Sequence, residues 1–414
     1  MDYFKYKNST LYCEGTPVKK IVKQYNTPLF IYSQKTIFEH FSKLKNAFSQ
    51  IKPLICYSVK ANSNLSILKL LIKAGAGLDI VSGGELYRAK KVKCNPKKIV
   101  YASVGKTEKE IKEAIIQNIF MFNVESINEL KRIDKIAKKL GKKVKVSLRL
   151  NPDVESKTHR YITTGKKETK FGIDKKSARE VLLAAGKYKN LIISGIHLHI
   201  GSQITESSPF VSALSKTKKF LKQLPKIKSL EFLNIGGGLG VIYDNEKPQT
   251  AKEFAKNILP LLKSIGLKVI LEPGRFIMGN AGILVTKVLY NKESYNKRFI
   301  VVDAAMNDFI RPSLYNAYHK IAPINKKKSL KKGKAADVVG PICESGDFLG
   351  KNRKISVSEG EYLAVFGAGA YGASMSSNYN SRCRGSEILV KGKRSYKIKE
   401  RENYQDLVKK ERII

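Results

Sequence analysis

Apolar and polar residues alternate between positions 53 and 271 in a repeated order of short apolar segments and longer amphipathic segments. The apolar segments predict buried parallel strands at Pro53–Val59, Leu78–Val81, Ile99–Ala102, Met121–Val124, Val144–Leu150, Ile192–His199, Glu231–Ile235 and Val269–Leu271. The segments between them predict helices such as Glu85–Lys91, Glu108–Gln117, Ser126–Leu140, Ala178–Ala185, Phe210–Leu224 and Ala251–Ser264. This alternation predicts an α/β fold, a (β/α)8 TIM barrel, and makes a doubly wound open sheet the weaker alternative.

The pattern changes after Arg275, where short β-rich segments are separated by Gly, Asn and Lys turns. They predict strands at Ala281–Tyr290, Arg298–Val302, Ala336–Val339, Tyr362–Val365, Glu387–Val390 and Arg394–Ile398, and a final helix at Tyr404–Lys410. We therefore expect an N-terminal segment (1–30) with a strand or two, a barrel domain (31–275) that opens with a helix near Gln34–Gln50, and an all-β C-terminal domain (276–414). The N-terminal segment is expected to pack with the β domain.

Composition and charge limit the functional classes to which this chain can belong. The chain has 414 residues, 42% of them hydrophobic, and a formal net charge of +43. The lysines are spread along the whole chain, and the densest run (Lys326–Lys334) is typical of a solvated loop. Because no nucleic-acid motif accompanies them, we expect no nucleic-acid partner. No apolar run is long enough for a membrane span, and the N-terminus has no signal sequence. Five scattered cysteines without metal-ligand spacing indicate a reduced, cytoplasmic protein with no metal site.

Polar residues collect at the carboxyl ends of the predicted barrel strands, where the chemistry of such barrels takes place. They are Lys60, Asp79, Arg149, His199, Gly236–Gly238 and Glu272. Lys60 could be a Schiff-base lysine, because its amine loses its proton readily when partly desolvated. The alternative is that Lys60 is one more lysine of a lysine-rich chain.

Five other stretches have candidate chemistry, and a structural alternative stays open for the first three. The Gly236–Gly238 turn could let backbone N–H groups converge on a phosphate, or could be only a tight turn. Glu272 could keep a heterocyclic nitrogen protonated, or pair structurally with Arg275. His199, near His197, could stack on a flat cofactor, whereas a metal ligand is less favoured and a core histidine remains open. Loop residues Cys343-Glu344 and a tyrosine at 371 offer acids.

Taken together, these motifs resemble the fold-type III pyridoxal-phosphate decarboxylases, and most closely the group that acts on meso-2,6-diaminopimelate. The matching motifs occur in order over about residues 27–381: YSVKAN at 57–62, HIGSQ at 199–203, GGGLG at 236–240, EPGR at 272–275, RPSLY at 311–315, CESGD at 343–347 and GAGAY at 367–371.

The resemblance implies a role for each matching residue. Lys60 would hold pyridoxal 5'-phosphate covalently, His199 would stack on its ring and Glu272 would pair with the ring nitrogen. The phosphate would lie among Ser202, Gly237, Gly238, Gly274, Arg275 and Tyr371, with Asp79 and Arg149 in support. Cys343 would protonate the carbon after carbon dioxide leaves. In this family the Cys343–Glu344 loop comes from the partner subunit, which implies a homodimer.

The residues around RPSLY favour a substrate whose far end bears a carboxylate. Arg311 repels a cationic tail but can bind a carboxylate bidentately. Arg275, Tyr315 and Tyr371 would share that carboxylate, and Glu344 would take the ammonium. We expect meso-2,6-diaminopimelate to be decarboxylated to L-lysine, the last step of lysine biosynthesis. Three alternatives stay open: a carboxynorspermidine-type decarboxylase, an alanine racemase-like enzyme, and a non-catalytic regulator that binds decarboxylases.

Overall fold

The chain divides into two compact units in a computed structural model that describes residues 3–154, 165, 170–326 and 335–414. The β unit comprises Met1–Glu39, Ile242–Glu246 and Ile277–Ile414, and the barrel unit comprises His40–Val241 and Lys247–Phe276. Residues 31–39 and 242–246, which the sequence analysis assigns to the barrel domain, belong to the β unit, and Phe276 belongs to the barrel unit. Most of the lysine-rich run at 326–334 lies outside the described residues.

The described residues form 20 strands and 12 α-helices. The strands are β1 Phe4–Lys7, β2 Thr10–Cys13, β3 Thr16–Pro17, β4 Leu29–Ser33, β5 Leu54–Ser58, β6 Gly77–Ile80, β7 Ile99–Tyr101, β8 Met121–Val124, β9 Val144–Arg149, β10 Leu191–His197, β11 Phe232–Asn234, β12 Lys268–Leu271, β13 Gly282–Ser294, β14 Lys297–Val302, β15 Ile321–Pro323, β16 Ala335–Val339, β17 Phe348–Lys354, β18 Tyr362–Phe366, β19 Ser386–Lys391 and β20 Arg394–Lys399. The helices are α1 Val18–Tyr25, α2 Gln34–Ala47, α3 Leu65–Lys73, α4 Gly83–Lys91, α5 Glu108–Ile116, α6 Ile127–Lys139, α7 Lys175–Leu183, α8 Ser208–Lys222, α9 Ala251–Ile265, α10 Arg275–Met278, α11 Arg311–Tyr315 and α12 Tyr404–Val408.

The barrel predicted from the sequence is confirmed. Within the described residues, eight parallel strands close in the order β10-β11-β12-β5-β6-β7-β8-β9. The strands are short and buried on both faces, which is why each appears in the sequence as an apolar run rather than as an alternating one.

The barrel interior is divided along its axis into an apolar part and a polar part. Near the strand starts, Phe120 and Phe232 meet edge to face with ring centroids 5.1 Å apart. Cys56, Val100, Met121 and Ile270 form a cluster with them. Toward the carboxyl ends the buried side chains become polar: Asp79, Asn123, Ser147, Arg149, His197, Asn234 and Glu272. The apolar end stabilises the barrel, and the polar end is available for chemistry.

Helix caps show why several of the amphipathic segments begin where they do. Thr107 and Thr250 each form a reciprocal capping box with the glutamate three residues later. Ser126 and Glu129 form only half of such a box, since Ser126 accepts from the Glu129 N–H. The Glu129 carboxylate instead accepts from the Glu125 N–H and from buried Lys106. The need to neutralise that lysine takes precedence over the cap.

The β unit contains the predicted C-terminal β structure. Its described strands form a nine-stranded sheet in the order β17-β16-β14-β13-β4-β19-β20, with β18 paired to β13 and β15 paired to β18, and a separate sheet β1-β2-β3. The core lies between β4, β13, β18 and β19 and the N-terminal elements. None of the helices in the described part of the chain has the length and apolar character of a membrane span.

Some elements differ from the sequence predictions. Residues 1–30 contain helix α1 as well as strands, because Val18, Ile21 and Val22 form a buried helical stripe that the strand interpretation overlooked. Helix α3 was not predicted, although Asn64 caps it by accepting from the Ser66 N–H. Strand β10 ends at His197 instead of His199.

Candidate active site

Lys60 lies just beyond the carboxyl end of β5, beside a buried carboxylate. Its Nζ is 3.3 Å from Oδ2 of Asp79, and its side chain is 36% exposed, whereas Asp79 is fully buried. The Ser58 hydroxyl donates to the same Oδ2 at 2.7 Å. Burial, reinforced by the charge of Glu272, raises the pKa of Asp79 to about 6, although Lys60 and Ser58 act in the opposite direction. Near neutral pH, Asp79 is therefore an anion next to a partly accessible amine.

Glu272 follows β12 directly and has hydrogen-bond partners on both carboxylate oxygens. Asn123 and Asn234 donate their side-chain amides to Oε1 at 2.9 and 2.6 Å. Nε2 of His197 lies 3.2 Å from Oε2. Burial alone would raise the pKa of Glu272, but His197 and then Lys60 outweigh burial and lower it below its ordinary value. Glu272 is thus a fixed anion at the polar end of the barrel.

His199 lies two residues beyond β10 and is oriented by backbone contacts. The Gly237 N–H donates to its Nδ1 at 3.4 Å, which leaves the proton of a neutral ring on Nε2. Burial and the positive charges of Arg149 and Lys60 lower the pKa of His199 well below its ordinary value. Arg149 itself pairs with Glu125 at 2.5 Å and donates to the His199 carbonyl at 3.5 Å. A neutral flat ring at this position suits stacking on a cofactor.

The Gly236–Gly238 turn requires glycine at each position. A Cβ on Gly236 would lie 2.6 Å from Nδ1 of His199, and Gly236 has φ +68°. A Cβ on Gly237 would lie 2.2 Å from the Glu272 carbonyl oxygen. Gly238 has φ +108°, and its Cβ would lie 2.8 Å from the Gly201 carbonyl oxygen. Bare backbone at three successive positions is typical of a phosphate-binding turn.

Ser202 and Arg275 contact each other in the barrel unit. Nε and Nη2 of Arg275 both donate to the Ser202 hydroxyl at 3.0 Å, and the Arg275 side chain is buried. Gly274 precedes Arg275 at a crowded position, because a Cβ there would lie 3.0 Å from Cβ of Ser58. The arginine therefore fixes the direction of the serine hydroxyl.

These barrel residues fit the pyridoxal phosphate that the sequence resemblance implies. The cofactor needs an amine for its carbonyl carbon, an anion for its ring nitrogen and backbone donors for its phosphate. Lys60, Glu272 and the glycine turn have these properties. Among the described residues, the buried atoms Asp79 Oδ1 and His197 Nδ1 also lack a hydrogen-bond partner, as expected where a polar ligand completes the site.

In the β unit, Arg311 and Tyr315 form one part of the predicted substrate site. Both belong to α11, and Cζ of Arg311 lies 5.7 Å from the centroid of the Tyr315 ring. Arg311 is buried, and its guanidinium also lies over the Tyr243 ring, at 5.1 Å. A buried arginine between aromatic rings has little freedom to turn, which suits selective binding of a carboxylate.

The loop that bears Cys343 and Glu344 is held mainly through its backbone. The N–H of Cys343 donates to Oδ1 of Asn380 at 3.0 Å. Buried Asp347 accepts from the N–H of Ile342 at 2.8 Å and from that of Met306 at 2.7 Å. Cys343 itself is exposed.

Two further contacts join this loop to its surroundings in the β unit. The Tyr379 hydroxyl donates to the Glu344 carboxylate, and the Ser313 hydroxyl of α11 donates to the Gly346 carbonyl at 2.6 Å. The hydrogen bond to Glu344, with a smaller contribution from burial, raises the pKa of Tyr379. The RPSLY helix and the CESGD loop are therefore linked within one unit.

Tyr371 stands at the end of the predicted glycine-rich turn, in the β unit. It is half-buried and has a left-handed backbone, with φ +57°. The turn can form only with glycine at 369, because a Cβ there would lie 2.0 Å from the Met278 carbonyl oxygen.

The structure therefore groups the predicted residues by unit. The barrel unit joins Lys60 to Asp79, Arg149 to His199, His199 to Gly237, and Ser202 to Arg275. The β unit holds Arg311, Tyr315, Cys343, Glu344 and Tyr371. Among the described residues, no group of three or more His, Cys, Asp or Glu side chains could hold a metal ion.

Sequence reasoning overlooked several residues that orient the site. Glu272 has Asn123, Asn234 and His197 as partners, and a polar residue inside an otherwise apolar predicted strand was the available signal. For Arg311, the overlooked neighbours are Tyr243 and His319, and no local pattern identified them.

Comparisons with known proteins show the family to which the chain belongs. The model of the pyridoxal-dependent decarboxylase family, pyridoxal binding domain, matches residues 34–279. The diaminopimelate decarboxylase of Aquifex aeolicus is 50% identical over 98% of this chain and 96% of its own length, and that of Haemophilus influenzae is 47% identical over 98% of each. The crystal structure of the Helicobacter pylori diaminopimelate decarboxylase complexed with L-lysine superimposes with a TM-score of 0.91, at 43% identity, over 95% of this chain and 98% of that one. The chain belongs to the pyridoxal-dependent decarboxylase family and, within it, to the diaminopimelate decarboxylases.

Proposed function

We propose that this chain is a carboxy-lyase that converts meso-2,6-diaminopimelate into L-lysine and carbon dioxide with pyridoxal phosphate, the last step of lysine biosynthesis. The observation that carries the proposal is the amine of Lys60 beside buried Asp79, in a barrel where Glu272 is a fixed anion. This is the arrangement that the cofactor requires, in a chain that aligns over almost its full length with diaminopimelate decarboxylases.

The barrel residues prepare the reacting groups. When bound, pyridoxal phosphate acts as an electron sink for the pair released as the carboxylate leaves. Lys60 would hold the cofactor through its carbonyl carbon, and Asp79 would balance charge beside Nζ. Glu272 would keep the ring nitrogen protonated, and neutral His199 would stack on the ring. Ser202, Gly237, Gly238, Gly274 and Arg275, with Asp79 and Arg149 in support, bind and orient the phosphate and ring.

The β unit supplies substrate recognition in this proposal. Arg311, Tyr315 and Tyr371 bind the carboxylate at the far end of the substrate, and Glu344 binds the ammonium beside it. A purely cationic tail would place a second positive charge beside buried Arg311 and would lack the carboxylate that an arginine binds bidentately. The burial of Arg311 supports this preference.

Cys343 is proposed as the proton donor. After the carbon–carboxylate bond breaks, the Cys343 thiol gives its proton to the same carbon and then regains one from water. Cys343 and Glu344 are exposed in the single chain, whereas a catalytic acid functions best where water is excluded. This supports a homodimer in which the loop of one protomer completes the site of its partner.

We also propose that the protein is located in the cytoplasm. All five cysteines, including exposed Cys343, are free thiols, and a reducing compartment would keep them so.

The direct test uses purified protein loaded with pyridoxal phosphate. Incubation with meso-2,6-diaminopimelate should release carbon dioxide and L-lysine in equal amounts, and carboxynorspermidine should react far more slowly. A bound cofactor without lysine formation would contradict the proposed substrate. Failure to bind the cofactor would contradict the proposed chemistry.

The homodimer is tested by mixing two inactive variants. Lys60→Ala lacks the cofactor lysine, and Cys343→Ala lacks the proton donor. If each site uses both protomers, random pairing after reversible dissociation should restore about a quarter of wild-type activity, because one site of each hybrid is intact. If both residues of a site come from the same protomer, the mixture should stay inactive.

A further inference from the structure

A buried histidine that the sequence analysis did not assign contacts the guanidinium of Arg311. His319 is fully buried, and its Nε2 accepts a hydrogen bond from Nε of Arg311 at 3.3 Å. The pairing of β15 with β18, with Ile321 opposite Val365, brings the other ring nitrogen near the end of β18. There, Nδ1 of His319 lies 2.9 Å from the Phe366 carbonyl oxygen.

These two contacts determine where the ring carries its proton. A carbonyl oxygen can only accept, so Nδ1 of His319 must be the donor toward Phe366. In the neutral ring Nε2 then bears a lone pair, which matches the N–H of Arg311 Nε. A second proton, on Nε2, would set two donors against each other. His319 therefore presents an acceptor to Arg311.

Aromatic rings prevent the histidine from turning. Tyr243 and Phe309 meet the His319 ring edge to face, with centroids 4.9 and 4.6 Å away. Tyr243 also lies 5.1 Å from Cζ of Arg311, so one ring restrains both residues. This approach requires glycine at 367, where φ is +70° and a Cβ would lie 3.0 Å from the Tyr243 ring. The histidine and arginine thus form one rigid group.

We propose that His319 is a positioning residue for substrate recognition. A guanidinium can grip a carboxylate either through Nε and one terminal nitrogen or through its two terminal nitrogens. Because His319 takes up Nε, Arg311 is committed to binding the far carboxylate of the substrate through its terminal nitrogens. This inference rests on the proposed function, since it assumes that Arg311 binds that carboxylate.

Two substitutions separate the hydrogen bond from the burial of the ring. In His319→Asn the side-chain amide can still donate to the Phe366 carbonyl but is too short to reach Arg311. In His319→Gln the longer side chain places an oxygen acceptor near the position of Nε2. Comparable thermal unfolding midpoints of the two variants would show that any difference in binding is not a folding defect.

The experiment measures binding to the holoenzyme by calorimetry with two ligands. L-Lysine has the far carboxylate, whereas cadaverine has the same carbon chain and amines without it. We expect His319→Asn to weaken L-lysine binding about tenfold and cadaverine binding by less than about twofold. His319→Gln should stay within about threefold of wild type for both ligands. Equal weakening for both ligands, or equal behaviour of the two variants, would overturn the proposal.

A double-mutant cycle with Arg311→Lys tests whether His319 acts through the arginine. A lysine cannot make the Nε contact, so adding His319→Asn to Arg311→Lys should leave L-lysine binding unchanged within about twofold. A further tenfold loss would assign His319 a role independent of Arg311 and contradict the inference. If the wild-type protein binds L-lysine but does not decarboxylate meso-2,6-diaminopimelate, only the proposed function fails.

Discussion

The candidate residues of the two units are held in different ways. In the barrel unit, Asp79 and Glu272 are buried and bound by other side chains, and their pKa values are shifted in opposite directions. In the β unit, Cys343 and Glu344 are exposed, and backbone contacts such as Cys343 N–H to Asn380 hold their loop. The barrel group is already arranged within one unit to hold a cofactor. The loop group presents exposed side chains on a hydrogen-bonded backbone.

This difference assigns different effects to damage in each region. Loss of a barrel side chain should change how the cofactor is held, because these side chains set one another's charge. Loss of the Cys343 side chain should leave cofactor binding intact and reduce turnover, because Asn380 and Asp347 hold the loop through backbone N–H groups. Arg311 is intermediate, since it is buried like the barrel residues but belongs to the β unit.

The largest effect is expected for Lys60→Ala. Without Nζ the cofactor carbonyl has no covalent partner, so turnover should fall by at least about 10³-fold. The visible absorbance band of the covalently bound cofactor should also be lost. Lys90→Ala, which removes an exposed lysine of α4, is the matched control and should retain both the band and the activity. A Lys60→Ala protein with a normal band would show that another amine holds the cofactor.

Cys343→Ala should lower turnover by about 10²–10³-fold, because a positioned general acid is lost. The cofactor absorbance band should stay at its wild-type intensity, in contrast to Lys60→Ala. Cys383→Ala, at another free thiol of the β unit, serves as the control and should be near wild type. Turnover of Cys343→Ala within about threefold of wild type would remove Cys343 as the donor.

The same difference in burial explains what the sequence revealed. The barrel followed from apolar runs of strand length, and Lys60, Asp79 and Glu272 were recognisable because polar residues at the ends of such runs are conspicuous. Helix α1 was overlooked because its buried stripe of Val18, Ile21 and Val22 is brief and lies between β-favouring residues.

Partners that are distant in sequence were beyond sequence reasoning. His319 reaches Arg311 only because β15 pairs with β18, and Glu272 meets Asn123 only because the barrel closes. Likewise, the sequence around Glu129 did not show that its carboxylate would bind Lys106 instead of completing the helix cap. That interaction depends on a buried charge 23 residues away.

Gly237→Ala should disturb the barrel group through its backbone. The added Cβ would lie 2.2 Å from the Glu272 carbonyl oxygen, so the turn or the end of β12 must shift. We expect the free energy of unfolding to fall by about 1–3 kcal/mol and cofactor affinity to fall as well. Gly105→Ala is the control, because a Cβ there would meet nothing within 4 Å. Denaturant unfolding and cofactor titration measure the two effects, and equal stability of the two variants would contradict the crowding described for the turn.

The smallest expected effect concerns the pH dependence that Asp79 confers on the barrel group. Asp79, with a pKa raised to about 6, should gain a proton as the pH falls through that value, and Lys60 then loses its anionic neighbour. The value of kcat/KM should therefore decline on the acid side with an apparent pKa near 6. In Asp79→Asn the rate at neutral pH should be only several-fold below that of wild type, and the acid-side decline should be absent.

The stability of the same variant gives an independent measure of that carboxyl group. Because its folded pKa lies above the unfolded value of about 3.9, Asp79 favours the unfolded state increasingly as the pH rises from about 4 to about 6. Relative to wild type, Asp79→Asn should therefore gain stability across this range and then run parallel above it. Glu85→Gln is the control, since burial raises the pKa of Glu85 to about 7 and its gain should continue to higher pH. Parallel stability curves for Asp79→Asn and wild type between pH 4 and 6 would show that the raised pKa belongs to a group other than Asp79.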